Sequence, residues 1–448
     1  MWKGFALLTL CQMAFSGGIL PGQSQALEIQ IQPTKTVFLL GEPVWVDVSV
    51  TNRTQESLYI DFGSNCFGQR PLKVQIPTAE PAIHEPKRCN NTVIGSCPSS
   101  ALPVLQPGDT ASRKYVLDGD FRISRPGSYE ALIEKSISYV PVAANHSDLY
   151  LADSGERQQI GRGTVELTVG PSDPGGLLAL ERADAETAIS KPPDPPLPGS
   201  SQDGNPLDKA GLKQAWDRFH AMQLQALLER DTIAEGLSKY PTAGMEPVFL
   251  SWIEGFRYSA YGIAALRRLN TVAAREALAK VAESQARPND TWFQSVRPEA
   301  VDALADLGDK AYVPLMVRLI HDSNHSVQVS ALHALGLLGG EEELGLLANA
   351  ARHGATADDR LEAIGAIGDT ASLKAVPLLI DFVDLTTLNE PGESYYALRT
   401  LTHLEFPDPD HHPTPEVKSA WLQFWSLHQV NARAYGPYQC QNPSPTKD

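Results

Sequence analysis

The sequence predicts a multidomain chain, an all-β sandwich followed by an all-α solenoid. Three observations carry that expectation. Residues 27–170 alternate apolar and polar side chains in short runs. Residues 171–207 are interrupted by Lys191-Pro192-Pro193-Asp194-Pro195-Pro196-Leu197-Pro198. From 208 to 430 an Ala-Leu or Ala-Ile pair recurs five times with helical periodicity around it.

In the first region the clearest run is Val44 to Val50, where Val44, Val46, Val48 and Val50 share one face. Alternate residues of a strand point the same way, so one face is greasy and the other wet. Gly41-Glu42-Pro43 turns into this strand and Thr51-Asn52-Arg53-Thr54 turns out of it. Similar runs start at Leu27, Leu58, Val104, Tyr115, Gly127 and Val165. About seven short strands with frequent turns suit a two-sheet sandwich. Gly161-Arg162-Gly163 reads as a turn before the last strand. Leu40-Gly41-Glu42-Pro43-Val44, Leu105-Gln106-Pro107-Gly108-Asp109 and Arg125-Pro126-Gly127-Ser128-Tyr129 resemble the bacterial immunoglobulin-like domains of exported proteins. That resemblance implies a fold type and is silent on function.

Residues 171–207 form the expected boundary. Leu177 to Ile189 suits one helix, and the proline run after it suits an extended, semi-rigid spacer. The solenoid follows over residues 208–430, with a tail at 431–448. The recurring pairs are Ala265-Leu266, Ala303-Leu304, Ala334-Leu335, Ala363-Ile364 and Ala397-Leu398, at intervals of 38, 31, 29 and 34 residues. Such pairs lie on one helical face, and the alanine admits a close neighbour. Gly308, Gly339 and Gly368 are expected to close helices in a left-handed cap. Asp309 and Asp369 then stand where the next helix needs an N-cap. Arg297-Pro298-Glu299-Ala300 through Gly308-Asp309, followed by Val313-Pro314-Leu315, resembles a HEAT repeat of the bacterial, lyase-like type. Arg360 to Asp369 followed by Val376-Pro377-Leu378 resembles it too, and the middle unit has Gln328 where the pattern favours Arg. The resemblance implies stacked helix pairs offering a long binding face.

The chain has 448 residues, 42% of them hydrophobic, and a formal net charge of −16. That composition suits a globular protein, and the acidic balance argues against a nucleic-acid partner. Residues 1–26 read as a secretory signal, with Lys3, an apolar core from Phe5 to Phe15, and Ser24-Gln25-Ala26 before the cleavage point. The apolar run is too short to span a bilayer. Export, periplasmic or secreted, is the expectation. In that setting Cys66, Cys89, Cys97 and Cys440 permit two disulfides in three pairings. Cys89 and Cys97 enclose a short polar loop and are the favoured bridge; a zinc site is the competing reading, without C-x-x-C spacing.

No sequence motif assigns catalysis, a cofactor or a metal. There is no His-Glu-x-x-His, no Gly-x-Ser-x-Gly and no phosphate-binding loop. Asp408-Pro409-Asp410-His411-His412 reads as a solvated loop, and Ser444-Pro445-Thr446-Lys447 as a tail. His321 and His325 straddle a turn, and His333 falls on the outer face of a helix. Trp252, Phe256, Tyr258 and Tyr261 cluster near the solenoid's start, as core packing or as an exposed hot spot for a partner. Five glycosylation-type sequons begin at Asn52, Asn90, Asn145, Asn289 and Asn324.

The expected function is a non-catalytic, exported protein-binding scaffold. The solenoid groove takes an envelope or extracellular protein, and the sandwich is an accessory binding or anchoring unit. Small-molecule ligands are not expected. The alternatives are a polysaccharide-binding sandwich on a structural solenoid, or an envelope hydrolase whose residues converge from distant segments.

Overall fold

The computed structural model of the chain describes residues 25–62, 72–81, 104–117, 121–142, 157–190, 227, 229–255, 258–284, 291–384, 392–407 and 414–436.

The first part is β-rich. Strands β1 (Leu27–Pro33), β3 (Trp45–Asn52) and β8 (Thr110–Val116) form one antiparallel sheet in the order β1-β3-β8. A second sheet runs β2 (Val37–Leu39), β11 (Arg157–Gly170), β10 (Gly127–Pro141), β4 (Leu58–Asp61) and β7 (Val104–Leu105). Strand β5 (Lys73–Gln75) also pairs with β10, and β6 (Glu80–Pro81) pairs with β9 (Phe121–Arg122). Only the β2–β11 pairing is parallel among the described ladders. Val44, Val46, Val48 and Val50 share one core with Ile60, Ile133, Ile137 and Leu167 of the second sheet.

Gly161 and Gly163 lie inside β11, so the expected turn is corrected to strand. A methyl group on Gly161 would stand 2.3 Å from Cγ2 of Ile29, and one on Gly163 would stand 3.1 Å from Cβ of Ile31. The glycines let β1 cross close over β11, which is what glycine inside a strand often marks.

The helical part begins inside the expected linker. Helix α1 (Pro174–Ile189) is capped by Asp173, whose carboxylate accepts the Gly176 N–H at 3.1 Å. Ala185 and Ala188 of α1 are buried in the core of the helical region. On the sheet side, Trp45 packs over helix α2 (residues 229–239), leaving a methyl group on Gly236 only 2.0 Å from its Cη2. The Tyr240 hydroxyl donates to the Leu117 carbonyl at 2.9 Å. The sheets and the helices therefore touch directly.

Glu181 of α1 is buried, and its carboxylate accepts the Thr242 N–H at 3.0 Å and the Thr242 hydroxyl at 2.5 Å. Burial pushes its carboxyl up to about 7, against the lowering effect of the two Thr242 bonds. The folded chain thus binds this proton more tightly than the unfolded chain. Stability from this group is fully present below the ordinary value of 4.5 and is lost as pH rises towards 7. Glu181→Gln should flatten that slope in melting temperature over the same window. An unchanged slope would refute the linkage.

The later helices are α3 (Glu246–Glu254), α4 (Ser259–Leu269), α5 (Val272–Glu283), α6 (Thr291–Asp306), α7 (Val313–Leu319) and α8 (His325–Leu338). They continue with α9 (Leu344–His353), α10 (Ala357–Asp369), α11 (Ala375–Asp381), α12 (Gly392–Thr402) and α13 (Thr414–His428). The first helix of each pair, α4, α6, α8, α10 and α12, packs on its successor in chain order. Trp421 of α13 is fully buried against the last pair and donates to the Pro407 carbonyl at 2.8 Å.

The packing corrects the repeat register in α10 by one turn. Gly336 of α8 meets Ala366, and Gly368 of α10 meets Ala397. Equivalent positions are thus Ala334-Leu335, Ala366-Ile367 and Ala397-Leu398, so Ile367 rather than Ile364 continues the series. Leu304, Leu335, Ile367 and Leu398 are spaced by 31, 32 and 31 residues. Gly368 is a contact residue, not a cap. The left-handed residue ending this helix is Ala371, at φ +51°, matching Gly308 at +69° and Asn270 at +48°. Asp309 does cap, accepting the Ala311 N–H at 3.0 Å, but Asp369 ends α10, and Ser372 accepts the Lys374 N–H at 3.3 Å. Left-handed backbone costs a non-glycine residue about 1–2 kcal/mol. Ala371→Gly should raise stability by up to about 1 kcal/mol once glycine's extra chain entropy is set against that gain. A lower urea midpoint would sink this assignment.

The new register also explains the Arg, Gln and Arg at equivalent places. Arg297 Nε donates to the Ala282 carbonyl at 3.0 Å, Gln328 Nε2 to Asp322 O at 2.5 Å, and Arg360 Nη1 to Gly354 O at 2.9 Å. Each ties down a carbonyl at or just beyond the C-terminal end of the preceding second helix, where carbonyls lack intrahelical partners.

Candidate interaction surface

The second helices present an open surface at the start of the repeats. Thr271 caps α5 by accepting the Ala274 N–H at 3.0 Å. Ala274, Ala277, Leu278, Val281 and Ala282 then face the core. The spacing leaves Glu276, Lys280 and Glu283 along the outer face, one turn apart. Across from them, the Asp309-capped 3-10 turn Lys310–Tyr312 presents the Tyr312 ring. Between α5 and this turn is a cavity of about 470 Å³, lined by Glu276, Ala279, Lys280, Glu283, Ser284 and Tyr312.

The cavity's charges are unequally matched. The Lys280 ammonium is 3.5 Å from the Glu254 carboxylate, and Arg318 of α7 contacts Glu283. Among the described residues, neither the Glu276 carboxylate nor the Tyr312 hydroxyl has a hydrogen bond or ion pair. Burial pushes the Tyr312 phenol above its ordinary value; Arg275 opposes this, while Asp309 and Glu276 add to it.

The aromatic cluster has a different role from an exposed hot spot. Trp252 and Tyr258 are each only 3% exposed, and Tyr261 is half-buried. Trp252 meets Phe249 edge-on at 5.3 Å and Tyr258 at 5.6 Å, and the Tyr258 hydroxyl donates to Ala188 of α1 at 3.3 Å. Helix α1 covers these rings, so as partner-binding aromatics Trp252 and Tyr258 are corrected to core. Phe256 lies outside the described residues, as do Cys66, Cys89, Cys97 and Cys440.

His321 follows α7 while His325 opens α8, so the pair shares no helix. His333, expected outermost, is half-buried, with Nδ1 3.9 Å from Glu362 and Nε2 3.9 Å from Asp369. Among the described residues, no group of three or more His, Cys, Asp or Glu could hold a metal. Of the sequons, Asn52 is fully buried and donates to the Leu105 carbonyl at 3.0 Å, and Asn324 caps α8. Asn90, Asn145 and Asn289 lie outside the described residues, with residues 408–413 and 437–448.

Residues 289–368 match the family of HEAT repeats. The matched HEAT segment runs from α6 through α10 and includes the corrected register. Two solved structures are similar to part of the chain. One is the complex of CpcE and CpcF of phycocyanin lyase from Nostoc sp. PCC7120, at 16% identity and TM-score 0.27, covering 55% of this chain and 82% of that one. The other is human deoxyhypusine hydroxylase in complex with glycerol, at 16% identity and TM-score 0.24, covering 57% of this chain and all of that one. No curated protein matches the chain. Among the described residues, no helix is long and apolar enough to cross a membrane.

Proposed function

We propose that the chain is a non-catalytic scaffold that holds another protein along the second-helix face of its HEAT region. The observation that carries this reading is the cavity between α5 and Tyr312, open to solvent, with an aromatic wall and a carboxylate, Glu276, that no described residue pairs. Stacked helix pairs bind extended partners without needing a reactive centre. The sheets are the accessory unit, held against the helices by Trp45 and α1. Their order supports an immunoglobulin-like reading, since β1-β3-β8 and β11-β10-β4 correspond to the A-B-E and G-F-C strands of that sandwich.

Export is part of the same proposal. It is supported by Lys3 and the apolar core from Phe5 to Phe15, and by Leu27 standing as a fully buried core residue of β1. A bridge between Cys89 and Cys97 belongs to that setting. N-terminal sequencing of the processed chain is expected to begin at Leu27.

Crosslinking mass spectrometry of the full chain in its native cells tests the scaffold reading. Crosslinks from one protein should concentrate on Lys280 and Lys310, which flank the cavity. Crosslinks confined to residues 27–170 would instead make the sheets the binding unit, including for a polysaccharide-associated partner.

A further inference from the structure

We infer that the cavity between α5 and the Lys310–Tyr312 turn is a seat for a cationic side chain, an arginine or lysine of an extended basic peptide segment. The inference rests on the scaffold reading and names the chemistry of its occupant. Glu276 offers a carboxylate that no described residue pairs, and the Tyr312 ring closes the opposite wall. A cation over a tyrosine face beside a carboxylate gains from both the ring and the charge.

A cation over a ring already occurs in this solenoid on a second helix two repeats further on, although that ring follows its helix where Tyr312 precedes its own. There Arg352 of α9 lies over the Phe382 ring, with 5.0 Å from its guanidinium carbon to the ring centroid. At α5 the outer face carries Glu276, Lys280 and Glu283, the Tyr312 ring stands opposite, and the space between them is open. Lys280 does not fill it, because its ammonium is turned to Glu254. An anionic occupant is disfavoured by Glu276, and the net charge of −16 draws basic partners at long range.

The test uses the full chain and two fluorescent nonapeptides of glycine and serine, one carrying three arginines and the other three glutamates, at physiological salt. The arginine peptide should bind and the glutamate peptide should not. Glu276→Gln and Tyr312→Leu should each weaken binding about tenfold, the scale of one lost charge-assisted or cation–ring contact. Tyr312→Phe keeps the ring and should retain binding, which guards against a Tyr312→Leu variant that fails to fold. Glu362→Gln removes the same charge on α10 and should leave affinity unchanged. Equal weakening by Glu276→Gln and Glu362→Gln would mean diffuse attraction and overturn the inference. So would binding of the glutamate peptide. If natural crosslinks map to Lys280 and Lys310 while the arginine peptide fails to bind, the scaffold reading stands and the cationic occupant falls. If the peptide binds here while natural crosslinks lie elsewhere, the seat stands and the scaffold reading falls.

Discussion

Gly336→Val should separate α8 from α10 and cost about 3 kcal/mol or more, at the upper end of overpacking penalties. A methyl group at Gly336 would stand 2.5 Å from the Ala366 carbonyl oxygen and 2.7 Å from its Cα. Both atoms are backbone, so no rotamer change relieves the clash; a whole helix must move. Solenoid stability is roughly a sum of repeats and of interfaces between neighbours. Weakening one interface should therefore split a single unfolding transition, with the pairs beyond α8 melting first. Gly345→Ala is the matched control, because nothing lies within 4 Å of the added methyl group there. Urea unfolding followed by helical circular dichroism reads both variants. A Gly336→Val protein that melts like the parent would disprove the close approach of these two helices, and with it the revised register.

The second large effect is expected at Arg297. Its side chain is 3% exposed, and it donates to Asp322 Oδ1 at 3.0 Å and Oδ2 at 2.5 Å. It also holds the Ala282 carbonyl at 3.0 Å. Removing one partner of a buried pair strands the other charge at about 3–5 kcal/mol, an upper bound here because Asp322 is partly exposed. Arg297→Ala should lose up to that much at neutral pH. Burial alone would raise the Asp322 carboxyl, but the Arg297 bonds and the Asn324 N–H hold it below the usual carboxylate range. A depressed carboxyl contributes stability above its ordinary value of 3.8 and loses it as pH falls through the folded value. The gap between parent and Arg297→Ala should therefore narrow in acid. A gap that is constant with pH would mean that Arg297 acts by packing and carbonyl capping alone.

The sequence made the broad architecture legible because periodicity survives folding. Val44, Val46, Val48 and Val50 announce their shared face, and the Ala-Leu pairs announce helices that lean on the next copy. Local pattern failed where a partner from elsewhere sets the environment. Gly161 and Gly163 look like a turn until Ile29 and Ile31 are seen to lie over them. Lys135 stands among Ala131, Ile133 and Ile137 on an inward row, buried, with its ammonium 4.6 Å from the centroid of the Tyr115 ring. No periodicity rule places a lysine there.

The candidate site was less legible than the fold. The aromatic cluster drew attention through composition, but α1 buries Trp252 and Tyr258, and the helix expected over Leu177 to Ile189 was assigned to the boundary segment rather than to the solenoid core. Glu276 and Tyr312 drew none, since they are 36 residues apart in sequence and only repeat stacking brings them to one cavity.

What the residues fixed unaided was the kind of element at each stretch and the fact of repetition, because each depends on a few neighbours along the chain. Tertiary contact alone decided the repeat register, the burial of the aromatics and the walls of the cavity. Those features depend on which surfaces meet, and a contact between distant residues leaves no periodic trace in either one.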